Sequence, residues 1–350
     1  MPGDPQIHVA GQLREQAQWC AELGSPLYAD LLGRAAADVE AGGPCWEVLS
    51  THVRPGRGDA VALRFMAAAH RLVLTGRAPA LARQYPSAGG TPDANAWPEF
   101  LAAVAAHRAA MRTFTGLPCQ TNEVGRSAPL MFGYLALAAR SGLPLRVLEV
   151  GASAGLNLRF DRFRYGSAEA SWGDPASPVD LTGLWRETPA HLDAPLVVAE
   201  RRGCDRRPLD VADPDTALAL RSSVWADQPA RVARLAGALA LAASVPAVVD
   251  DMSLTDWVPQ RLAEARPGLC TVVAHSIVIE YLPDEPRRAF VEALAAHGRR
   301  ATREAPLGWL RLEAIAGARH HGVTLTTWPG GEETTLALSG AHGNDVVRCR

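Results

Sequence analysis

Glu149, Gly151, Ser153 and Gly155 stand within seven consecutive residues, in the segment Leu145 to Asn157 (LRVLEVGASAGLN). An apolar run ends in a carboxylate, passes through a turn of small residues and enters an expected helix. Glycine lets a backbone come close to a ligand, and a helix N-terminus offers free N–H groups. This pattern suits a nucleotide-like ligand lying over the carboxyl end of a parallel strand. The same letters spell Gly-x-Ser-x-Gly, the nucleophile elbow of serine hydrolases, with Asp250, His320 and His342 as downstream partners. Against that reading, the chain before Leu145 reads as helical and carries no His-Gly-Gly oxyanion loop. A nicotinamide or flavin fingerprint fits less well, because Ser153 stands where its second glycine belongs.

The elements that must position these residues fall into two textures. The spacing of apolar residues predicts helices over Gly11–Leu23, Ser25–Ala41, Gly58–Leu74 and Trp97–Thr113, and a further helix running to Ala139. After Pro144, short runs rich in Val, Leu and Ile alternate with helical patterns. Strands are expected at Leu145–Val150, Leu196–Ala199 (with an extension to Cys204), Ala247–Val249, Leu269–His275 and Leu307–Leu312. Helices are expected at Gln228–Ala243, Thr255–Ala265 and Glu285–Ala296. Alternation of this kind implies an α/β fold with a parallel sheet covered on both faces. Val323–Trp328 and Thr334–Leu338 flank Pro329, Gly330 and Gly331 and read as an antiparallel hairpin. The expected organisation is a helical N-terminal region over 1–120 and an α/β domain over 121–350. The latter carries an irregular insertion at about 159–193, a candidate lid or substrate loop.

Composition narrows the chemistry. The chain has 350 residues, 48% of them hydrophobic, and a net charge of −2, which gives no basic footprint for nucleic acid. It has no lysine, so a Walker lysine, a Schiff base and a pyridoxal-phosphate anchor are excluded. Its six cysteines form no Cys-x-x-Cys pair, and His320 and His321 are adjacent rather than spaced as ligands, so no metal site is signalled. Scattered cysteines, the lack of an apolar leader and the lack of a long apolar run set the expectation of a cytoplasmic protein without a membrane span.

Two stretches carry a resemblance. Val147 to Asn157 resembles the first motif of class I S-adenosylmethionine-dependent methyltransferases. Thr271 to Pro283 (TVVAHSIVIEYLP) resembles their fourth-strand motif, and the closing hairpin is similar to their reversed last strands. The whole chain also resembles an uncharacterised bacterial family of that fold, through Thr121 to Ser127 (TNEVGRS), Trp172 to Pro175 (WGDP) and Gly203 to Asp210 (GCDRRPLD). The resemblance implies a Rossmann-like sheet, mostly parallel, with S-adenosylmethionine as cofactor and a small-molecule acceptor methylated on oxygen or nitrogen. It implies that Glu149 attracts the cofactor's ammonium, that Gly151, Ser153, Gly155 and Asn157 form the binding turn, and that Asn122 and Arg126 approach the cofactor from the preceding segment. Asp205, or else Glu200, would hold the ribose; the third-strand acid is Asp250 or Asp251, with Asp251 approaching the adenine. His275 would take a proton from the acceptor, with Tyr281 beside it on the rim. No nucleic-acid or membrane partner is implied. The rival readings are the serine hydrolase and a nucleoside-binding module of the same fold without activity.

Overall fold

The computed structural model describes residues 4–53, 60–119 and 121–349, which divide into two compact units, 1–121 with 213–233 and 122–212 with 234–350. In chain order the first unit begins with α1 (Pro5–Glu22), α2 (Pro26–Glu40), α3 (Pro44–Leu49), α4 (Val61–Leu74), α5 (Pro79–Ala82), α6 (Ala96–Ala106) and α7 (Arg108–Thr115). Proline opens α1, α2, α3 and α5, where its missing N–H costs nothing and its φ is already helical. Fully buried Leu13, Leu31, Leu32, Phe65, Met66 and Phe100 form the centre of this unit's core, with Ala35 and Ala36 also fully buried. The expected helix Trp97–Thr113 is two helices, broken at His107, whose φ of −111° and ψ of 27° leave the helical region. The start of the expected helix at Gly58 lies outside the described residues.

The second unit enters through α8 (Ser127–Ser141), which ends at Gly142 in the left-handed conformation that commonly closes helices. Then come β1 (Leu145–Val150), β2 (Arg164–Gly166), β3 (Ser171–Trp172), β4 (Asp180–Thr182) and β5 (Val198–Asp205). The chain next forms α9 (Pro214–Ser223), which belongs to the helical unit, and α10 (Pro229–Ser244), whose first residues do so too. β6 (Val248–Asp251), α11 (Leu254–Leu262), β7 (Cys270–Ser276), α12 (Asp284–Gly298), β8 (Leu307–Ala314), β9 (His321–Trp328), β10 (Glu332–Ser339) and β11 (Val347–Arg348) complete the chain. The sequence reading assigned 121–350 to one domain; the structure returns 213–233 to the helical unit.

Eight strands form one sheet in the order β11-β10-β9-β8-β7-β1-β5-β6. β6, β5, β1, β7 and β8 are parallel, and β9, β10 and β11 continue antiparallel from β8. All six β1 residues are buried, as a strand covered on both faces requires. On one face Leu148, Val150 and Val273 pack with Trp257, Val258, Phe290 and Leu294 of α11 and α12. On the other, α8 lies so close that a Cβ on Gly133 would be 2.2 Å from Leu310 Cδ1. The chain runs outward from β1 through β5 to β6, then returns to the far side of β1 as β7. The carboxyl ends of β1 and β7 therefore flank a topological switch point, where open α/β sheets leave a crevice.

The insertion expected to be irregular instead folds a small sheet in the order β3-β2-β4. Tyr165 in its middle strand stacks on Trp185 at 5.4 Å between ring centroids and meets Trp172 edge-on at 5.8 Å. Among the described residues, no helix is long and apolar enough to cross a membrane.

Candidate functional site

Three residues of the turn after β1 have positive φ: Gly151 at 68°, Ser153 at 53° and Gly155 at 66°. The glycines answer to packing as well as to this geometry. A Cβ on Gly151 would lie 2.6 Å from Val278 Cγ2, and one on Gly155 would lie 2.8 Å from Val249 Cγ2. The space that sequence reading kept for a ligand beside these two Cα atoms is thus taken by side chains following β7 and in β6.

The turn is also pinned from below. Asp205 Oδ2 accepts the Ser153 N–H at 2.9 Å, and its Oδ1 accepts the Arg207 N–H at 2.9 Å. Arg159 donates to the Gly155 carbonyl and to the Val245 carbonyl, both at 2.7 Å. The expected helix after the turn is a seven-residue 3₁₀ segment, Leu156–Arg162, bent at Arg159. Its opening N–H, on Leu156, is taken by Asn122 Oδ1 at 2.8 Å, so the anion-binding helix end anticipated here is already satisfied. Asn157 receives the Ser127 hydroxyl at 2.9 Å and donates to the Glu123 carbonyl at 3.1 Å. Asn122 and Asn157 therefore bind chain to chain.

Glu149 differs from these. It is 7% exposed, and among the described residues no hydrogen bond reaches its carboxyl. Burial pushes it up to about 8; the Arg159 charge opposes this and the Asp205 charge adds to it. Ser153 Oγ is likewise buried without a partner. A buried polar atom left unpaired costs about 1–3 kcal/mol and is uncommon in folded proteins, so Ser153 Oγ beside the buried Glu149 calls for an explanation.

The acids proposed for the nucleoside separate by register. Asp205 and Asp251 are paired positions at the carboxyl ends of β5 and β6. Asp251 is exposed and, among the described residues, its side chain has no hydrogen bond or ion pair; Ser253, not Asp251, caps α11. Asp250 is committed to Arg202 at 2.6 and 2.7 Å and to Trp257 Nε1 at 2.5 Å, and the Arg202 hydrogen bonds hold its carboxyl below the usual range. Glu200 lies five residues before Asp205, roughly 16 Å back along the strand, and pairs with Arg146 at 3.1 Å. The register thus keeps Glu200 away from the turn.

At the end of β7, His275 is 1% exposed. Its Nδ1 meets Glu313 Oε1 at 2.7 Å, and its Nε2 receives the Trp309 indole N–H at 2.9 Å. Indole only donates, so Nε2 carries the lone pair and Nδ1 the proton. Both ring nitrogens of His275 are thus engaged, and Trp309 would first have to let go before the ring could take a proton from a substrate. Sequence reasoning missed Glu313. Its Oε1 also accepts the Val278 N–H at 3.0 Å and the Ile279 N–H at 3.4 Å. Burial opposes its ionisation, but the hydrogen bond from His275 and those backbone donors outweigh burial and hold it below the usual carboxylate range. The residue between, Ile277, has φ 55°, a strained value for a β-branched side chain. Ser153 and Ile277 are thus left-handed non-glycine residues following the two strands that flank the switch point.

Arg126 donates to the Ala341 carbonyl at 3.0 Å and to the Ser276 carbonyl at 3.3 Å, so it ties the end of β7 to the C-terminal loop. Tyr281 follows on the rim and is 71% exposed. The hydrolase reading finds no support in the geometry, since no histidine bonds Ser153 Oγ and Asp250 is spent on Arg202. Among the described residues, no cluster of three or more His, Cys, Asp or Glu could hold a metal ion.

A search of curated proteins finds no similar sequence. A family model does match, over residues 10–348, and its description is an uncharacterized protein conserved in bacteria (DUF2332). The chain belongs to this bacterial family, and a buried Glu149 carboxyl at the switch point of the sheet is one of its features.

Proposed function

We propose that this chain is an S-adenosylmethionine-dependent methyltransferase that methylates an oxygen or nitrogen of a small molecule. The observation that carries the reading is Glu149, a buried carboxyl without a hydrogen bond at the end of β1, where the strand order reverses. A cation arriving there would compensate the burial that keeps this acid protonated. The donor set fits in three places. Glu149 suits an ammonium, Ser153 Oγ lacks a partner, and Asp251 beside Asp205 offers free acceptors to a ribose or an adenine amino group. It departs elsewhere: the Arg126 guanidinium already serves two backbone carbonyls, Asn122 and Asn157 bond the chain itself, and Val278 and Val249 fill the space beside Gly151 and Gly155.

When bound, the cofactor supplies a methyl group already activated on a sulfonium. The chain's own work is then alignment, which supplies much of the rate in such transfers. Glu149 would hold the cofactor's ammonium as a carboxylate, its proton having passed to solvent. Asp205 and Arg159 keep the turn from shifting, and Glu313 holds the Val278 and Ile279 amides in place. A base is needed only for an acceptor that must lose a proton before attack. The net charge of −2 and the lack of a basic footprint favour a small acceptor over nucleic acid.

Transfer of tritium from methyl-labelled S-adenosylmethionine to a panel of phenols, alcohols, amines and carboxylic acids tests the reading. Labelled product from any class supports it. The committed nitrogens of His275 favour a second reading, a nucleoside-binding protein without turnover. Binding with no transfer across the panel would select that reading.

A further inference from the structure

At the opposite end of the parallel strands, the amino ends of β1, β7 and β8 border a cavity of about 110 Å³. A single water needs roughly 10–15 Å³ of such space, so the cavity has room for a small polyatomic ion. Its walls include Arg146, Arg266, Arg300, His297 and Thr271, with Glu264 as the carboxylate among them. Three arginines and one acidic residue thus line it, and Glu200 nearby is already paired with Arg146.

The donors are also free to act. The Arg146 side chain is 6% exposed; its Nε serves Glu200 and one terminal nitrogen serves the Arg261 carbonyl at 3.0 Å, which leaves Nη1 without a partner among the described residues. Burial pulls the Arg146 guanidinium below its ordinary value, Glu200 opposes this, and the Arg266 and Arg261 charges add to it. Arg266 and Arg300 are exposed and, among the described residues, form no hydrogen bond or ion pair through their side chains. Thr271 is 8% exposed and its hydroxyl has no partner among them. Like charges gathered around one cavity, with spare donors that bond no protein acceptor, are relieved by an anion.

We propose that this cavity binds a phosphate-sized oxyanion, either free or as the phosphoryl group of a small molecule. The site is separate from the switch point and does not rest on the methyl-transfer reading. Guanidinium forks match the oxygen spacing of phosphate, which a chloride ion cannot exploit.

The test is calorimetric titration of the full chain with sodium phosphate, against sodium chloride at matched ionic strength. Saturable phosphate binding is expected, with chloride giving none. A double variant, Arg266→Ala with Arg300→Ala, changes only exposed side chains and should bind at least tenfold more weakly while keeping its circular dichroism. Thr271→Val, which keeps the volume, should weaken binding severalfold. Tighter binding of glycerol phosphate than of phosphate would support a phosphorylated small molecule; equal or weaker binding would support the free ion. Phosphate heats no different from chloride, or undiminished binding in the double variant, would overturn the proposal.

Discussion

Gly151 and Val278 are in such close contact that a methyl group on the glycine would sit 2.6 Å from Val278 Cγ2. This contact joins the turn after β1 to the segment after β7, across the switch point. It also makes Gly151 a packing residue, with φ 68° as a second reason for its identity.

Gly151→Ala should therefore destabilise the fold by about 2–4 kcal/mol, from overpacking and left-handed strain together. Adding Val278→Ala should recover the overpacking part and leave the strain. Urea denaturation of the single and double variants measures both. A neutral Gly151→Ala would mean that the contact is not as described.

Glu149 predicts a pH slope of definite sign. Its folded carboxyl keeps its proton up to about 8, whereas the unfolded one loses it near 4.5. The folded state binds the extra proton between those values, so stability falls as pH rises through that window, by about 1.4 kcal/mol per pH unit at most. Glu149→Gln removes the slope. The variant should match the wild type near pH 4.5 and exceed it by a few kcal/mol at pH 8.5, as read from denaturation midpoints at each pH. A constant difference across the range would refute this.

Much of this was legible before the structure. β1 and its turn are written in contiguous residues, and the hairpin around Gly330 and Gly331 is equally local. The alternation of β-rich runs with helices set the parallel order. What remained hidden depended on contacts far apart in sequence. Glu313 meets His275 from 38 residues away, although it carries the same signal as Glu149, an acid near the end of a buried strand. The 3₁₀ segment after Gly155 forms where Asn122 takes the Leu156 amide, a competitor that no local pattern announces. The small sheet around Tyr165 is built from strands of two and three residues, too short for periodicity to register. The return of 213–233 to the helical unit is a tertiary choice; the Asp213 cap and Pro214 mark only where α9 begins.

Asp205 bonds the amides of Ser153 and Arg207, so its loss should register without any ligand. Asp205→Ala is expected to cost about 2–3 kcal/mol, and Asp205→Asn less, because the amide keeps one acceptor oxygen. Chemical denaturation of the ligand-free variants measures this. If Asp205 served only a ligand, both variants would unfold with the wild type.

The His275 ring should be the neutral tautomer protonated on Nδ1, since Trp309 donates to Nε2. Nitrogen-15 chemical shifts of the labelled imidazole distinguish the two tautomers. Trp309→Phe should free Nε2 and cost about 1 kcal/mol. A proton found on Nε2 would reverse the assignment.

The most direct test of the switch-point site is calorimetry with S-adenosylmethionine on the wild type and on Glu149→Gln at pH 7. Saturable binding with one ligand per chain, at least tenfold weaker in the variant, is the predicted result. No heat of binding to the wild type, or equal affinity in the two proteins, would contradict the assignment of this carboxylate to a sulfonium donor.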